Sequence, residues 1–527
     1  MGLVPYPINL RKTKITIMKK IIASLGILTA LFVSCTDSED VIEPIVTVAP
    51  TVTAPSGTIS VQQGSAQDVT FTVITDGGFK SAAVTASGGT ASIKSQPTVG
   101  DKSGSVVVEF TAGNTAGAGT VELTVTDNEN RSDKDTAVMN VALQVVVPDY
   151  ETVGTGSVYY ISSNKTWTAD RMWIMSGKVV VQNGATLTIE PGTIIKAENK
   201  TGADATALII AKGGKINAVG SAASPIIFTS VLDDINYQDT DLKGSTLTHT
   251  NQSLWGGLIV LGNASVGVSG GTANIEGIPA LPFSQYGGTN DADNSGKIQY
   301  VSIRHSGAEL APGNELQGLT LGGVGSGTTI DHVEIVASGD DGVEIFGGAV
   351  NLSDLLVWAQ GDDGIDIDQA YKGTISNAMV ILGDDSDTGL EIDGTEDSTR
   401  AIDGTYTLQN VTVLGSATAA SGKNRYADWK SGATGHNRNI VFKGFPAGRS
   451  IKTINASTYG GAATAPVAVK LTFENIDFIT ADTEATVLGA NTHVTDFATW
   501  GQILASQATG TGANATPFEN WTWYANK

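Results

Sequence analysis

A single cysteine, Cys35, stands in 527 residues, so no disulfide can close within the chain. Basic residues are also scarce: 31 Lys and Arg face 53 Asp and Glu, a net charge of −22. Binding a phosphate backbone needs clustered Lys and Arg, so a nucleic-acid partner is excluded. Long apolar runs are missing too. The run from Ile21 to Val33 holds thirteen apolar or small residues, too few to span a bilayer. No Gly-x-Ser-x-Gly elbow with assigned partners stands out, nor a phosphate loop or dinucleotide fingerprint in the required context. What is abundant is glycine, 63 residues, with Ala, Thr, Ser and Val. That mixture favours short strands and tight turns over long helices. An acidic chain of this kind suits export and suits cation binding.

The most informative segment is acidic and periodic. Thirteen acids and one lysine lie between Asp340 and Asp393. Gly339-Asp340-Asp341, Gly361-Asp362-Asp363 and Gly383-Asp384-Asp385 follow one another at intervals of 22 residues. Each pair precedes a short alternating stretch: Val343-Glu344-Ile345, Ile365-Asp366-Ile367 and Leu390-Glu391-Ile392. A fixed period of about 20 residues marks a solenoid with one coil per repeat. Ile330–Ile335, Leu352–Val357, Ile375–Val380 and Leu408–Val413 align as a second strand in each coil. Alternation places Val343, Ile365 and Leu390 inward and Glu344, Asp366 and Glu391 outward. The third coil carries three extra residues, Ser386-Asp387-Thr388, which loosens its register.

The organisation follows from these patterns. Residues 1–35 read as a signal peptide, with Lys19-Lys20 before the apolar run and Met18 as the start that gives ordinary length. Residues 36–50 are acidic and non-periodic, a tether. Residues 51–148 alternate with period 2, as in Val69–Val73, Val106–Phe110 and Val121–Val125, and read as an immunoglobulin-like β-sandwich of about seven strands. Residues 149–527 form the solenoid, closed by a C-terminal cap containing Phe518–Tyr524. The expected fold class is all-β.

Leu31-Phe32-Val33-Ser34-Cys35 resembles a bacterial lipoprotein signal, which implies lipidation of Cys35. Thr36–Asp40 is similar to the surface-export signal of Bacteroidota-type lipoproteins. Gly184–Lys196 and Ser224–Ser230 resemble opening coils of right-handed parallel β-helix proteins with a pectate-lyase-like solenoid. The resemblance implies an exported, outer-membrane, lipid-anchored protein, with the membrane reached through lipid. It is specific for fold and poor for activity, because this fold hosts lyases, hydrolases, adhesins and binders.

Stacking brings equivalent residues of successive coils to about 4.8 Å. Two carboxylates at about 5 Å repel by roughly 3 kcal/mol at an effective dielectric of about 20. Raised pKa values, splaying into solvent, or a bound cation would relieve this. Oxygen-only ligands in flexible geometry favour calcium. The expected ligands are Asp340, Asp341, Glu344, Asp362, Asp363, Asp366, Asp368, Asp384, Asp385, Glu391 and Asp393. Asp291 and Asp293, in a loop that matches the first half of an EF-hand-type sequence, form a weaker site. Turn chemistry explains a single Asp pair equally well. Polygalacturonases resemble this chain only in Gly-Asp-Asp, and their companion motifs are missing. Asp340, Asp341, Asp362, Asp363, Asp366 and Lys372 are the catalytic candidates if the chain is a calcium-dependent lyase or a glycoside hydrolase. Trp358 and Tyr371 flank the acidic coils and are candidates for stacking on a glycan. The expected function is a calcium-stabilised surface module for a polysaccharide or an outer-membrane protein partner. An enzyme and a purely structural or adhesive protein remain the alternatives.

Overall fold

Hydrophobic alternation and glycine-bounded runs both become strands. The computed structural model describes residues 48–142 and 149–525, apart from 201, 240–242, 277, 279, 312–313, 401 and 463–469. The signal segment, Met18, Cys35 and most of the tether lie outside the described residues. Among the described residues no helix is long and apolar enough to cross a membrane. The chain divides into two units after residue 145.

The described residues of the first unit form eight strands in two four-stranded sheets. One sheet holds Thr51–Thr53, Ala66–Ile74, Ser103–Ala112 and Gly89–Ser95, in that order. The other holds Thr58–Gln62, Ser132–Ala142, Gly117–Asp127 and Phe79–Ser87. Val69, Phe71 and Val73 are buried while Thr70 and Thr72 are exposed, as the period of 2 requires. Both sheets contribute to one core that includes Phe71, Phe79, Phe110, Leu123 and Met139.

The second unit is a right-handed parallel β-helix. A ten-stranded sheet runs from Val158–Ile161 to Thr453–Ile454, each strand parallel to the next. Its inward row is Val179, Leu208, Leu258, Leu319, Val343, Ile365 and Leu390, in register and fully buried. Burying one such side chain contributes about 2 kcal/mol, so the stack is the main cohesive element. The outward row changes character along the axis: Val180, Ile209, Ile259, Thr320, Glu344, Asp366, Glu391, Asp428. Its apolar part is covered by Val266, Ile275, Phe283 and Tyr286, from the segment before Gly296–Arg304.

The longer strands of the second large sheet bend once per coil. Tyr300, His332, Asp354, Asn377, Asn410, Asn439 and Asn475 all have φ between 51° and 57°. The strand registers step over each of them in turn. Asn and Asp tolerate this left-handed conformation better than other non-glycine residues, which explains their dominance here. Asn475 Nδ2 donates to Asn439 at 2.8 Å, and Asn439 Nδ2 donates to Asn410 at 3.1 Å. The Tyr300 and His332 rings continue the row by stacking at 4.2 Å.

The C-terminal segment departs from the expected cap. The end of the solenoid is closed by Val487, Leu488, Phe497 and Trp500, with Trp500 stacked on Phe473 at 4.6 Å. Phe518–Tyr524 instead runs back along the flank. Trp523 N and Tyr524 N each donate to Glu334 at 2.9 Å, and Trp523 lies 5.2 Å from the Arg304 guanidinium. The reason is the outward apolar row Val336, Trp358 and Ile381, with Leu356 beside it, which the strap covers.

Candidate functional site

The acidic residues gather where the ten-stranded sheet meets the preceding turns. Gly342 and Gly364 close those turns against the next coil. A Cβ on Gly342 would sit 2.2 Å from Val357 Cγ1, and one on Gly364 would sit 2.3 Å from Val380 Cγ1. Only glycine fits there. The second Asp of each pair links neighbouring coils: Asp363 N donates to Asp341 Oδ1 at 2.9 Å, and Thr388 N donates to Asp363 Oδ1 at 2.6 Å. Turn chemistry therefore accounts for one oxygen on each of these carboxylates.

The third coil corrects the expected register. Asp387 N donates to the carbonyl of Asp362 at 2.9 Å, and Thr388 follows in line with Asp363. Asp387 and Thr388 thus occupy the positions expected for Asp384 and Asp385. The three extra residues are absorbed ahead of the turn, and Asp384 and Asp385 are displaced outward and exposed. Asp384 accepts hydrogen bonds from Ser416 and Thr418 instead. Asp387 is the ligand candidate that repeat counting passed over. The signal was present, since the insertion itself contains an acid.

Among the described residues three carboxylate groups then come together: Asp340–Asp341–Asp362, Asp341–Glu344–Asp366, and Asp362–Asp363–Asp387. Within each, the ligand oxygens lie within 4.8 Å of one another. Asp341, Glu344 and Asp363 are only 6%, 5% and 4% exposed. Burial, reinforced by neighbouring carboxylates, pushes Asp341, Glu344, Asp363 and Asp366 well above the usual carboxylate range. Asp340 rises to about 7 through burial and then Glu315 and Asp362. Asp368 also rises to about 7, through burial and then Asp393 and Glu396. Asp362 and Asp393 are raised chiefly by burial. Glu344 Oε2 and Asp366 Oδ1 are buried without a hydrogen-bond partner among the described residues.

The basic residues fall differently from the sequence expectation. Lys372 pairs with Asp291 at 2.6 Å, so it does not serve the acidic face as a base. Asp291 also accepts from Ser265 N at 2.9 Å, and Asp293 accepts from Asn263 N at 3.0 Å. These two acids anchor a loop with protein donors rather than forming an open ion site. Later coils supply the lysines that neutralise the ladder. Lys430 pairs with Glu391 and stands 3.8 Å from Asp393. Lys452 reaches Asp428 at 3.1 Å, Asp387 at 3.4 Å and Glu391 at 3.6 Å. Burial opposes ionisation of Glu391, but Lys430 and Lys452 hold its carboxyl below the usual range. The ladder is therefore uncompensated around Glu344 and Asp366 and ion-paired beyond them.

The aromatic candidates are also corrected. Tyr371 is fully buried in the core and donates its hydroxyl to the Val350 carbonyl at 2.6 Å, so no ligand can stack on it. Trp358 is 7% exposed, stacked on His249 at 4.7 Å and met edge-on by Trp523 and Tyr524. It forms part of a wall, not an open platform.

The family description "Pectate-lyase like beta helix domain" matches residues 159–525. The chain belongs to this family. No curated protein matches it. Among solved structures, a family 28 exopolygalacturonase from Yersinia enterocolitica is similar at 8% identity and a TM-score of 0.21. That match covers 82% of this chain and 86% of the other. Membership of the pectate-lyase-like β-helix family fixes the architecture and leaves the chemistry to the acidic site.

Proposed function

We propose that this β-helix protein is an exported surface lipoprotein, anchored in the outer membrane through Cys35, with an immunoglobulin-like spacer that precedes the solenoid in the chain. Its acidic face holds calcium and engages an acidic glycan, or an outer-membrane protein partner, through that ion. The supporting observation is the Asp341–Glu344–Asp366 group, in which Glu344 Oε2 is buried and unpartnered. A buried carboxylate oxygen without a donor is costly, and a hard cation satisfies it. Asp340, Asp362, Asp363 and Asp387 extend the same face.

A binding role is favoured over a lyase by the state of the nearby lysine. Ion pairing with Glu391 and Asp393 outweighs burial and raises the pKa of Lys430. A lysine held protonated cannot abstract a proton beside the ion. Hydrolysis is the enzymatic alternative that one feature supports. Asp366 and Glu391 are register partners on adjacent coils, one raised and one lowered, as an acid and base would be.

Calorimetric titration of the purified protein with calcium tests the proposal, followed by binding and cleavage assays on polygalacturonate with and without the ion. Saturable calcium binding that disappears in Asp341→Asn/Asp366→Asn, with polygalacturonate retained but uncut, is the expected result. Absence of calcium binding would refute it, and release of unsaturated or shortened products would replace the binder with an enzyme.

A further inference from the structure

The displaced Asp384-Asp385 pair has a surrounding of its own. Gly383 N donates to Ser386 Oγ at 3.0 Å, and Ser386 Oγ donates to the Gln360 carbonyl. These bonds anchor the turn after the insertion and leave both acids exposed beside a cleft of about 440 Å³. The cleft also takes in Trp358, His249, Gln360, Ser416 and Thr418. Neither Asp384 nor Asp385 belongs to any of the three carboxylate groups of the ladder.

We propose that this cleft is a second, calcium-independent site, and that it takes a neutral saccharide unit. Four features select that ligand. The volume lies within the range of small-ligand sites. The exposed His249 ring, stacked on the nearly buried Trp358 behind it, offers an aromatic face to the C–H face of a sugar ring. Asp384 is held below the usual carboxylate range by Ser416 and Thr418, so it accepts hydrogen bonds from hydroxyl groups. Among the described residues no lysine or arginine lines the cleft, so a uronate carboxylate would meet repulsion from two acids. Gln360 supplies an independent sign of an absent partner. It lines the cleft, is 1% exposed, and neither of its side-chain amide atoms has a hydrogen-bond partner among the described residues. An amide offers donors and an acceptor together, which is what a sugar hydroxyl needs. The site does not depend on the cation proposal, because it shares no carboxylate with the ladder.

Calorimetry in EDTA tests it, with maltohexaose, cellohexaose and xylohexaose as neutral probes and hexagalacturonate as the charged control. At least one neutral probe should bind with a Kd of millimolar or tighter, and hexagalacturonate at least tenfold more weakly. Asp384→Ala and Asp385→Ala alter exposed side chains, so both should keep the parent melting temperature while weakening the neutral probe at least tenfold. Failure of all three neutral probes to bind would overturn the proposal. So would equal binding of hexagalacturonate, or unchanged affinity in both variants. Calcium binding at the ladder is measured separately, so either proposal can fail alone.

Discussion

Replacing Glu344 by Gln should change the sign of its effect on stability according to whether calcium is present. Asp341, Glu344 and Asp366 offer oxygens within 4.8 Å of one another. Each ionised pair at that separation repels by about 3.5 kcal/mol at an effective dielectric of about 20. Three pairs sum to about 10 kcal/mol, comparable with the whole stability of a domain. Protons or a cation must relieve this. Without a cation, the folded pKa values of these groups stand above their unfolded values, chiefly through burial. The folded state then binds more protons than the unfolded chain. Their contribution is complete below the unfolded pKa near 4 and is lost as pH rises through the folded pKa. Asp340 and Asp368, both pushed up to about 7, lose their own contribution near neutrality.

Each such group removes up to about 1.4 kcal/mol per pH unit across the window. For a unit of this size that is roughly 2 °C in Tm per pH unit. Scanning calorimetry in EDTA should therefore show the parent losing more Tm between about pH 5 and about pH 7 than Glu344→Gln, at up to roughly 2 °C per pH unit. In calcium the order should reverse, because the parent keeps all three ligands and the variant loses one. Parallel pH slopes in EDTA would show that Glu344 does not retain a proton. Equal calcium increments would show that it is not a ligand. Either result refutes the electrostatic account of the cluster.

Two further outcomes follow from the same geometry. Lys430→Met should cost about 3 kcal/mol in urea unfolding because it leaves Glu391 largely buried and weakly paired, whereas Lys372→Met should cost no more than about 1 kcal/mol because its pair with Asp291 is part-exposed. Equal costs would mean that the later lysine does not hold the ladder. Trp523→Ala should cost about 3–5 kcal/mol and open the Arg304–Glu334 flank to proteolysis, since the ring is 8% exposed and lies over Arg304; unchanged stability and cleavage would show that the strap is only resting on the coils.

Much of the candidate site could be read from residue spacing. The first two Gly-Asp-Asp turns sit one coil apart, and Glu344, Asp366 and Glu391 stand in one outward row, as alternation required. The third turn misled because a repeated triplet looks the same whether extra residues are absorbed before or after it. Hydrogen bonding decided that Asp387, not Asp384, continues the row. Lys372 misled for a related reason. Closeness in sequence within a solenoid places a residue on the same coil but says nothing about which side of that coil it faces. The neutralising partners, Lys430 and Lys452, lie further along the chain and reach the ladder only because later coils stack on it. The bend row of Tyr300, His332, Asp354 and four asparagines was similarly hidden, since left-handed backbone leaves no periodic hydrophobic mark.

The sequence by itself determined that this chain is a β-helix and that its middle coils concentrate negative charge. Both follow from a one-dimensional repeat, in which each coil contacts chiefly its neighbours and the period carries over into the stacking distance. Only the tertiary structure decided which acids are buried, which are ion-paired and which are left without a partner. Those properties depend on side chains brought in from other coils and from segments laid over the sheet, and burial is what turns a row of acids into a site with raised pKa values and an unsatisfied oxygen.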